Sequence, residues 1–163
     1  LVLDLHTGPS STRHIYAPEF LESEALDFNI ETVISIPEAF AGALDEASFT
    51  PWVDLANKLK SLGVQFDYRV KAFTIELGSQ DEISLEQAEH DANGIIKYLS
   101  RHNLLEGTVN IEPVAVSTTK LKDYKTLYSP YAGMVEYIAK AGDRVQKGQP
   151  IANVLNSLEF DSD

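Results

Sequence analysis

The sequence predicts an α/β domain followed by a small all-β unit. Strand-like and helix-like segments alternate up to about residue 103, which is typical of a sheet with at least some parallel strands. Beyond residue 107 no helical period is present, and short β-type segments are separated by turn residues. Because the pattern changes near Gly107, we assign residues 1–105 to the α/β domain and residues 106–163 to the β unit.

The composition excludes several classes of protein. The 163 residues and 44% hydrophobic content are enough for a buried core, and the absence of Cys excludes disulfides and cysteine metal ligands. A net charge of −12 argues against a nucleic-acid partner. With no apolar run of membrane-spanning length and no signal peptide, we expect no membrane partner and a location in a bacterial cytoplasm. A homo-oligomeric state is left open.

The first predicted strand, at residues 1–6, carries two polar side chains in an apolar segment. Asp4 and His6 are two residues apart and therefore share one face of the strand. His6 lies at the carboxyl end, where open α/β sheets bind their ligands. Two interpretations follow: a metal-ligating histidine oriented by Asp4, or a histidine bonded near a turn. Natural proteins rarely begin inside a buried strand, and we expect a further segment before residue 1.

Three further β-type segments are predicted in the α/β domain. They cover residues 14–17, residues 28–36, which form one strand or two, and residues 70–77. The last of them is apolar on one face, while its other face carries Thr74 and Glu76. A buried carboxylate is costly unless it is paired, binds a metal or serves as a base. Glu76 is therefore either a site residue or part of a polar surface.

Two helices separate or follow these strands. Thr50 as a cap and Pro51 in the first turn predict the start of a helix, and Gly63 predicts its end. Ser84 and Gln87 have the spacing of a capping box, which predicts a second helix reaching about residue 101.

Four β-type segments are predicted in the β unit, at residues 109–116, 125–128, 133–140 and 151–155. Glycine- and proline-containing turns separate them, including Ala-Gly-Asp at residues 141–143. Short strands joined by such turns are typical of a partly closed barrel.

Two motifs resemble the succinylglutamate desuccinylase/aspartoacylase family, whose catalytic domain is zinc carboxypeptidase-like. They are Asp-Leu-His-Thr-Gly at residues 4–8 and Ile-Glu-Leu-Gly-Ser-Gln at residues 75–80. Residues 128–135 and 141–151 look like the lipoyl/biotinyl-like β-barrel that follows the catalytic domain in many members. The resemblance implies the second half of a mixed catalytic sheet with flanking helices, followed by a barrel-like domain that is incomplete in this chain.

This resemblance implies zinc-dependent hydrolysis of the amide bond of an N-acyl amino acid or a similar small amide. The family holds one zinc ion with two His and one Glu, and His6 matches the last of these ligands. The other two come from a His-x-x-Glu motif, which this sequence lacks and which we expect upstream of residue 1. Zinc would polarise the carbonyl, Glu76 would act as the base, and Asp4 would orient His6. We expect this chain alone to be inactive.

Arginine residues are the partners expected for the carboxylates of such a substrate. Arg13 follows the strand of His6, and Arg69 precedes the strand of Glu76. For each of them a substrate-binding role and a solvated surface role remain open. The other histidines, His14 among them, are interpreted as structural or surface residues.

Two alternative functions remain open. One is a zinc carboxypeptidase that acts on peptides, and the other is a non-catalytic lipoyl-like carrier or adaptor that uses the β unit. The last lysine, Lys147, lies inside a turn rather than on the hairpin beyond it, so covalent attachment of a carrier cofactor is not expected. The combination of Asp4, His6 and Glu76 argues for an enzyme with a small-molecule substrate.

Overall fold

The structure, a computed structural model, describes residues 1–38, 44–66 and 70–156. The chain divides into two compact units, Leu1–Tyr124 and Lys125–Asp163. The boundary predicted at residues 105 and 106 lies earlier than this division. The division follows Tyr124 because a strand beyond residue 106 joins the sheet of the first unit.

The first unit is built on a five-stranded mixed sheet. Its strands are β1 (Val2–Gly8), β2 (Arg13–Pro18), β3 (Thr32–Ile36), β4 (Ala72–Ser79) and β5 (Ser117–Lys120). Their spatial order is β1-β4-β2-β3-β5. Strand β1 runs parallel to β4, β2 runs antiparallel to β4, and β3 runs parallel to both β2 and β5. The predicted α/β class with a mixed sheet is confirmed.

Four α-helices are present among the described residues of this unit. They are α1 (Glu22–Ala25), α2 (Leu44–Ala47), α3 (Thr50–Ser61) and α4 (Leu85–Arg101). Short 3-10 turns at Glu19–Leu21 and Leu26–Phe28 flank α1. The two long helices agree with the two predicted ones, because each has a clear apolar period and a clear terminal residue.

One of the two predicted helix caps is present in the structure and the other is not. The Ser84 hydroxyl accepts a bond of 3.2 Å from the backbone N–H of Gln87, as predicted. The Gln87 side chain does not complete the box and donates to Asp91 instead. The predicted cap at Thr50 is wrong: α3 begins one residue earlier than expected, so that Phe49 occupies the capping position and makes no side-chain cap.

One face of the sheet packs against α4. The core there contains Ile15 and Ile75 from neighbouring strands. The ring of Phe28 stacks on Tyr98 of α4 at 4.1 Å. A side chain at position 94 would collide with the carbonyl oxygen of Phe28, so Gly94 allows α4 to approach this closely. This apolar face holds the strands in register.

The opposite face packs against α3 over part of its area. Ile34, Ile36 and Ala72 form a second cluster with Phe49 and Val53 of the α3 segment. Because successive side chains on a strand point to opposite faces, Thr74 and Glu76 lie on the same face as Ala72. Polar side chains therefore follow this second core along β4.

In the second unit, β6 (Met134–Tyr137) and β7 (Ala152–Leu155) form an antiparallel pair. They overlap two of the predicted segments. No strand forms at residues 109–116 or 125–128, and the predicted barrel is not seen within residues 125–156. Strand β5 pairs with β3 instead, and the Ser117 N–H donates to the carbonyl of Glu31 at 2.8 Å. Within the described ranges, no helix is long and apolar enough to cross a membrane.

Candidate active site

His6 and Glu76 lie directly opposite each other on the parallel strands β1 and β4. Residues paired in this way project from the same face of a sheet, with their Cβ atoms roughly 5 Å apart. The pairing becomes irregular immediately afterwards, between His6 and Gly8. The side chains of His6 and Glu76 are therefore neighbours at the point where the regular pairing of β1 and β4 ends.

The His6 ring faces the carboxylate of Asp4. Nε2 of His6 lies 3.2 Å from Oδ1 of Asp4, and both side chains are partly exposed. A neighbouring carboxylate favours the ring form with its hydrogen on Nε2, which leaves Nδ1 as the nitrogen that can bind a ligand. Metal-binding histidines typically have such a carboxylate on their second nitrogen.

Glu76 presents an unsatisfied oxygen. Its Oε2 atom is buried and has no hydrogen-bond partner among the described residues. An unpaired buried oxygen costs free energy, and such atoms in native proteins call for an explanation. A proton-accepting role beside a metal-ligating histidine would supply one.

His14 lies beside Glu76 on the side away from His6, so the three residues form a row across the sheet. It lies opposite Glu76 on the antiparallel strand β2. Its Nδ1 is 2.9 Å from the carbonyl oxygen of Thr12, and its ring meets Tyr16 edge-on at 5.0 Å. The sequence analysis interprets His14 as a structural or surface residue, and the strand pairing adds that it neighbours Glu76. In the sequence, the spacing of His14 and Tyr16 indicates only that the two residues share one face of a short strand. It does not identify the strand that lies beside them.

The structure places Arg13 away from this row. Its Nε and Nη2 atoms bond Asp91 of α4 at 2.9 and 2.5 Å, and Nη1 bonds Glu31 at 3.1 Å. Nη2 also lies 2.8 Å from Nδ1 of His90. These contacts favour a structural role for Arg13 over substrate binding. Arg69 lies outside the described residues, so its substrate-binding role stays a prediction.

The residues present fit part of a zinc site. His6 offers Nδ1, because its Nε2 faces Asp4, and Glu76 offers a carboxylate with an unsatisfied oxygen. Across residues 1–38, 44–66 and 70–156, however, no group of three His, Asp or Glu side chains is placed to hold a metal ion. The described residues thus supply one ligand and a neighbouring base, which is fewer ligands than zinc requires.

Comparison with known proteins identified solved structures with the same fold, although no family model and no curated protein matches the chain. A Shewanella frigidimarina protein designated succinylglutamate desuccinylase/aspartoacylase is 42% identical over 99% of this chain and 43% of its own, with a TM-score of 0.85. A Shewanella amazonensis protein of the same family is 43% identical over 99% of this chain and 44% of its own, also with a TM-score of 0.85.

A more distant structure shows the same fold. The product-bound ectoine utilization protein EutE (DoeB) from Ruegeria pomeroyi is 17% identical over 97% of this chain and 46% of its own, with a TM-score of 0.63. The chain spans less than half the length of each of these three proteins. With identity above 40% along nearly its whole length and a shared fold, the chain belongs to the succinylglutamate desuccinylase/aspartoacylase family.

Proposed function

We propose that this chain carries part of the active site of a zinc-dependent deacylase. Its substrate would be an N-acyl amino acid or a similar small amide. The observation that carries the proposal is the pairing of His6 with Glu76, whose buried Oε2 has no partner among the described residues. Family membership supports the reaction class, and the orientation of His6 by Asp4 supports the metal.

In this proposal His6 would hold zinc through Nδ1, with Asp4 fixing the ring. The remaining ligands would come from outside these 163 residues, since the similar solved proteins are more than twice as long. When bound, zinc supplies a Lewis acid that polarises the amide carbonyl. The second unit would correspond to the barrel-like domain, and the cytoplasmic location stays a prediction.

Glu76 would move the proton. Its carboxylate accepts a proton from water as the water oxygen bonds to the amide carbon, and it then gives that proton to the nitrogen as the C–N bond breaks. The remaining proton of the water also passes to the nitrogen, so the products are a carboxylate and an ammonium group, and Glu76 returns to its starting form. A carboxylate whose Oε2 has no competing hydrogen bond among the described residues is suited to this exchange.

The test is hydrolysis of N-succinylglutamate and N-acetylaspartate by the full-length protein before and after metal removal. We expect a chelator to abolish amine release and stoichiometric Zn²⁺ to restore it, whereas Mg²⁺ should not. A C-terminally unblocked peptide serves as the comparison substrate and should be cleaved far more slowly. Turnover that survives complete metal removal would refute zinc dependence, and a preference for the peptide would refute the deacylase assignment.

A further inference from the structure

We propose that His14 is a substrate-binding residue that contacts the amine side of the scissile amide. Its Nε2 atom would accept a hydrogen bond from the substrate nitrogen. The inference rests on the proposed function, and it concerns a residue outside the metal-ligand and general-base pair. Three features of the structure carry it: the register of β2, the hydrogen bond at Nδ1, and the order of side chains across the sheet.

The register of β2 places His14 beside the proton-transferring group. Glu76 pairs with His6 on one side and with His14 on the other. Side chains in register across neighbouring strands lie on one face with Cβ atoms roughly 5 Å apart. His14 is thus, like His6, a direct neighbour of Glu76 across the sheet, and a substrate over Glu76 lies within its reach.

The hydrogen bond at Nδ1 decides what His14 can bind. The carbonyl oxygen of Thr12 can only accept, so Nδ1, 2.9 Å away, carries the hydrogen. In the neutral ring Nε2 is then an acceptor with no hydrogen of its own. The edge-to-face contact between the rings of His14 and Tyr16, whose centroids are 5.0 Å apart, helps to hold this orientation. An acceptor at this position suits an N–H group rather than a substrate carboxylate.

The order of the three side chains matches the order of atoms in an amide. The carbonyl oxygen belongs on the side of His6, which would hold the metal. Glu76 lies in the middle of the row, where it can pass a proton to the nitrogen. The nitrogen and the amino acid attached to it then extend toward His14. The geometry therefore assigns the acyl group and the amine to opposite sides of Glu76.

The test compares the affinity of the full-length, zinc-loaded protein for the two products, L-glutamate and succinate, by titration calorimetry. Two variants separate the ring nitrogens: His14→Asn can still donate to Thr12 but has no atom at the position of Nε2, while the longer amide of His14→Gln reaches that position. We expect His14→Asn to bind L-glutamate about tenfold more weakly, which is the effect of one hydrogen bond. Succinate affinity should change less than twofold, and His14→Gln should recover most of the glutamate affinity.

The controls distinguish this inference from the function it rests on. Equal weakening of both products would show a merely structural role, and unchanged glutamate affinity would show that His14 makes no contact; either result overturns the assignment. Hydrolysis of N-succinylglutamate by the wild type is measured in parallel. If the wild type hydrolyses N-succinylglutamate but His14→Asn leaves the affinity for glutamate unchanged, only the His14 assignment is refuted. If His14→Asn weakens glutamate binding selectively but the wild type shows no hydrolysis, only the deacylase assignment is refuted.

Discussion

The guanidinium of Arg13 on β2 pairs with the Asp91 carboxylate on α4, with Nε at 2.9 Å and Nη2 at 2.5 Å from the same Oδ1 atom. Only 13% of the Arg13 side chain and 8% of the Asp91 side chain are exposed. Hydrogen bonds between charged groups are strong where both side chains are nearly buried, because little water competes for them. The pair ties the strand that carries His14 to the helix behind the sheet.

We therefore expect Asp91→Asn to destabilise the fold. The substitution leaves the nearly buried Arg13 with Glu31 as its remaining charged partner, and removing one member of a buried pair exposes the full desolvation cost of the other. The expected loss is about 2–4 kcal/mol in the free energy of unfolding. Urea unfolding at neutral pH measures it.

The chain offers a matched control in Arg101, which pairs with Asp27 at 3.0 Å but is 65% exposed. Asp27 keeps His102 as a partner at 2.9 Å and ion pairs with an exposed member contribute about 0–1 kcal/mol, so Arg101→Gln should change stability little. Equal losses in Asp91→Asn and Arg101→Gln would contradict the structural role of the Arg13 pair.

The parts of this fold that the sequence predicts are those with strong local patterns. Strands β1 and β4 are apolar runs with a defined end, and α4 has an apolar stripe behind a serine cap. These features depend on residues near each other in the chain. The same holds for Asp4 and His6, because two residues on one strand share a face wherever the strand is placed.

The features of the fold that the local sequence pattern does not predict depend on which strands, distant in the chain, pair with each other. Strand β5 adds to β3 in the first sheet, and a short β-type segment carries no information about which edge it will join. The proximity of His14 to Glu76 likewise depends on the order of three strands. Arg13 finds its main partner 78 residues away, and a surface arginine and a buried one have the same sequence signal.

Asp4 should tune zinc affinity. Its carboxylate oxygen lies 3.2 Å from Nε2 of His6, and Asp4→Asn would remove the negative charge that faces the ring and raises its basicity. We expect zinc to bind about 10–100-fold more weakly to the full-length variant, measured by competition with a chromophoric chelator. Glu89→Gln, an exposed change on α4, is the control and should bind zinc as the wild type does. An affinity of Asp4→Asn equal to that control would remove Asp4 from the site.

Lys120 should make stability depend on pH through Glu22. The Lys120 ammonium, 2.8 Å from the carboxylate, and the Ser35 hydroxyl hold the pKa of Glu22 below its ordinary value. A lowered carboxyl pKa stabilises the fold above the ordinary glutamate pKa, and this contribution disappears as the pH falls through the lowered value. Lys120→Gln should therefore be less stable than the wild type at pH 7, and the difference should shrink in acid.

Urea unfolding of both proteins at several pH values checks this dependence. The midpoints should differ most near neutrality and converge where Glu22 is protonated in both proteins. A difference that stays constant from pH 7 into acid would show that Lys120 acts through packing rather than through its charge.

The turnover of Glu76→Gln tests the central claim most directly. Gln is nearly isosteric with Glu but cannot accept the proton of the water, and a general base typically contributes about 10²–10⁴-fold. With wild type and variant at equal zinc content and equal thermal stability, we predict a loss of about that size in kcat for an N-acyl amino acid. KM should change little, because the proton transfer belongs to the transition state. A variant within about threefold of the wild type, less than 1 kcal/mol of barrier, would contradict the account.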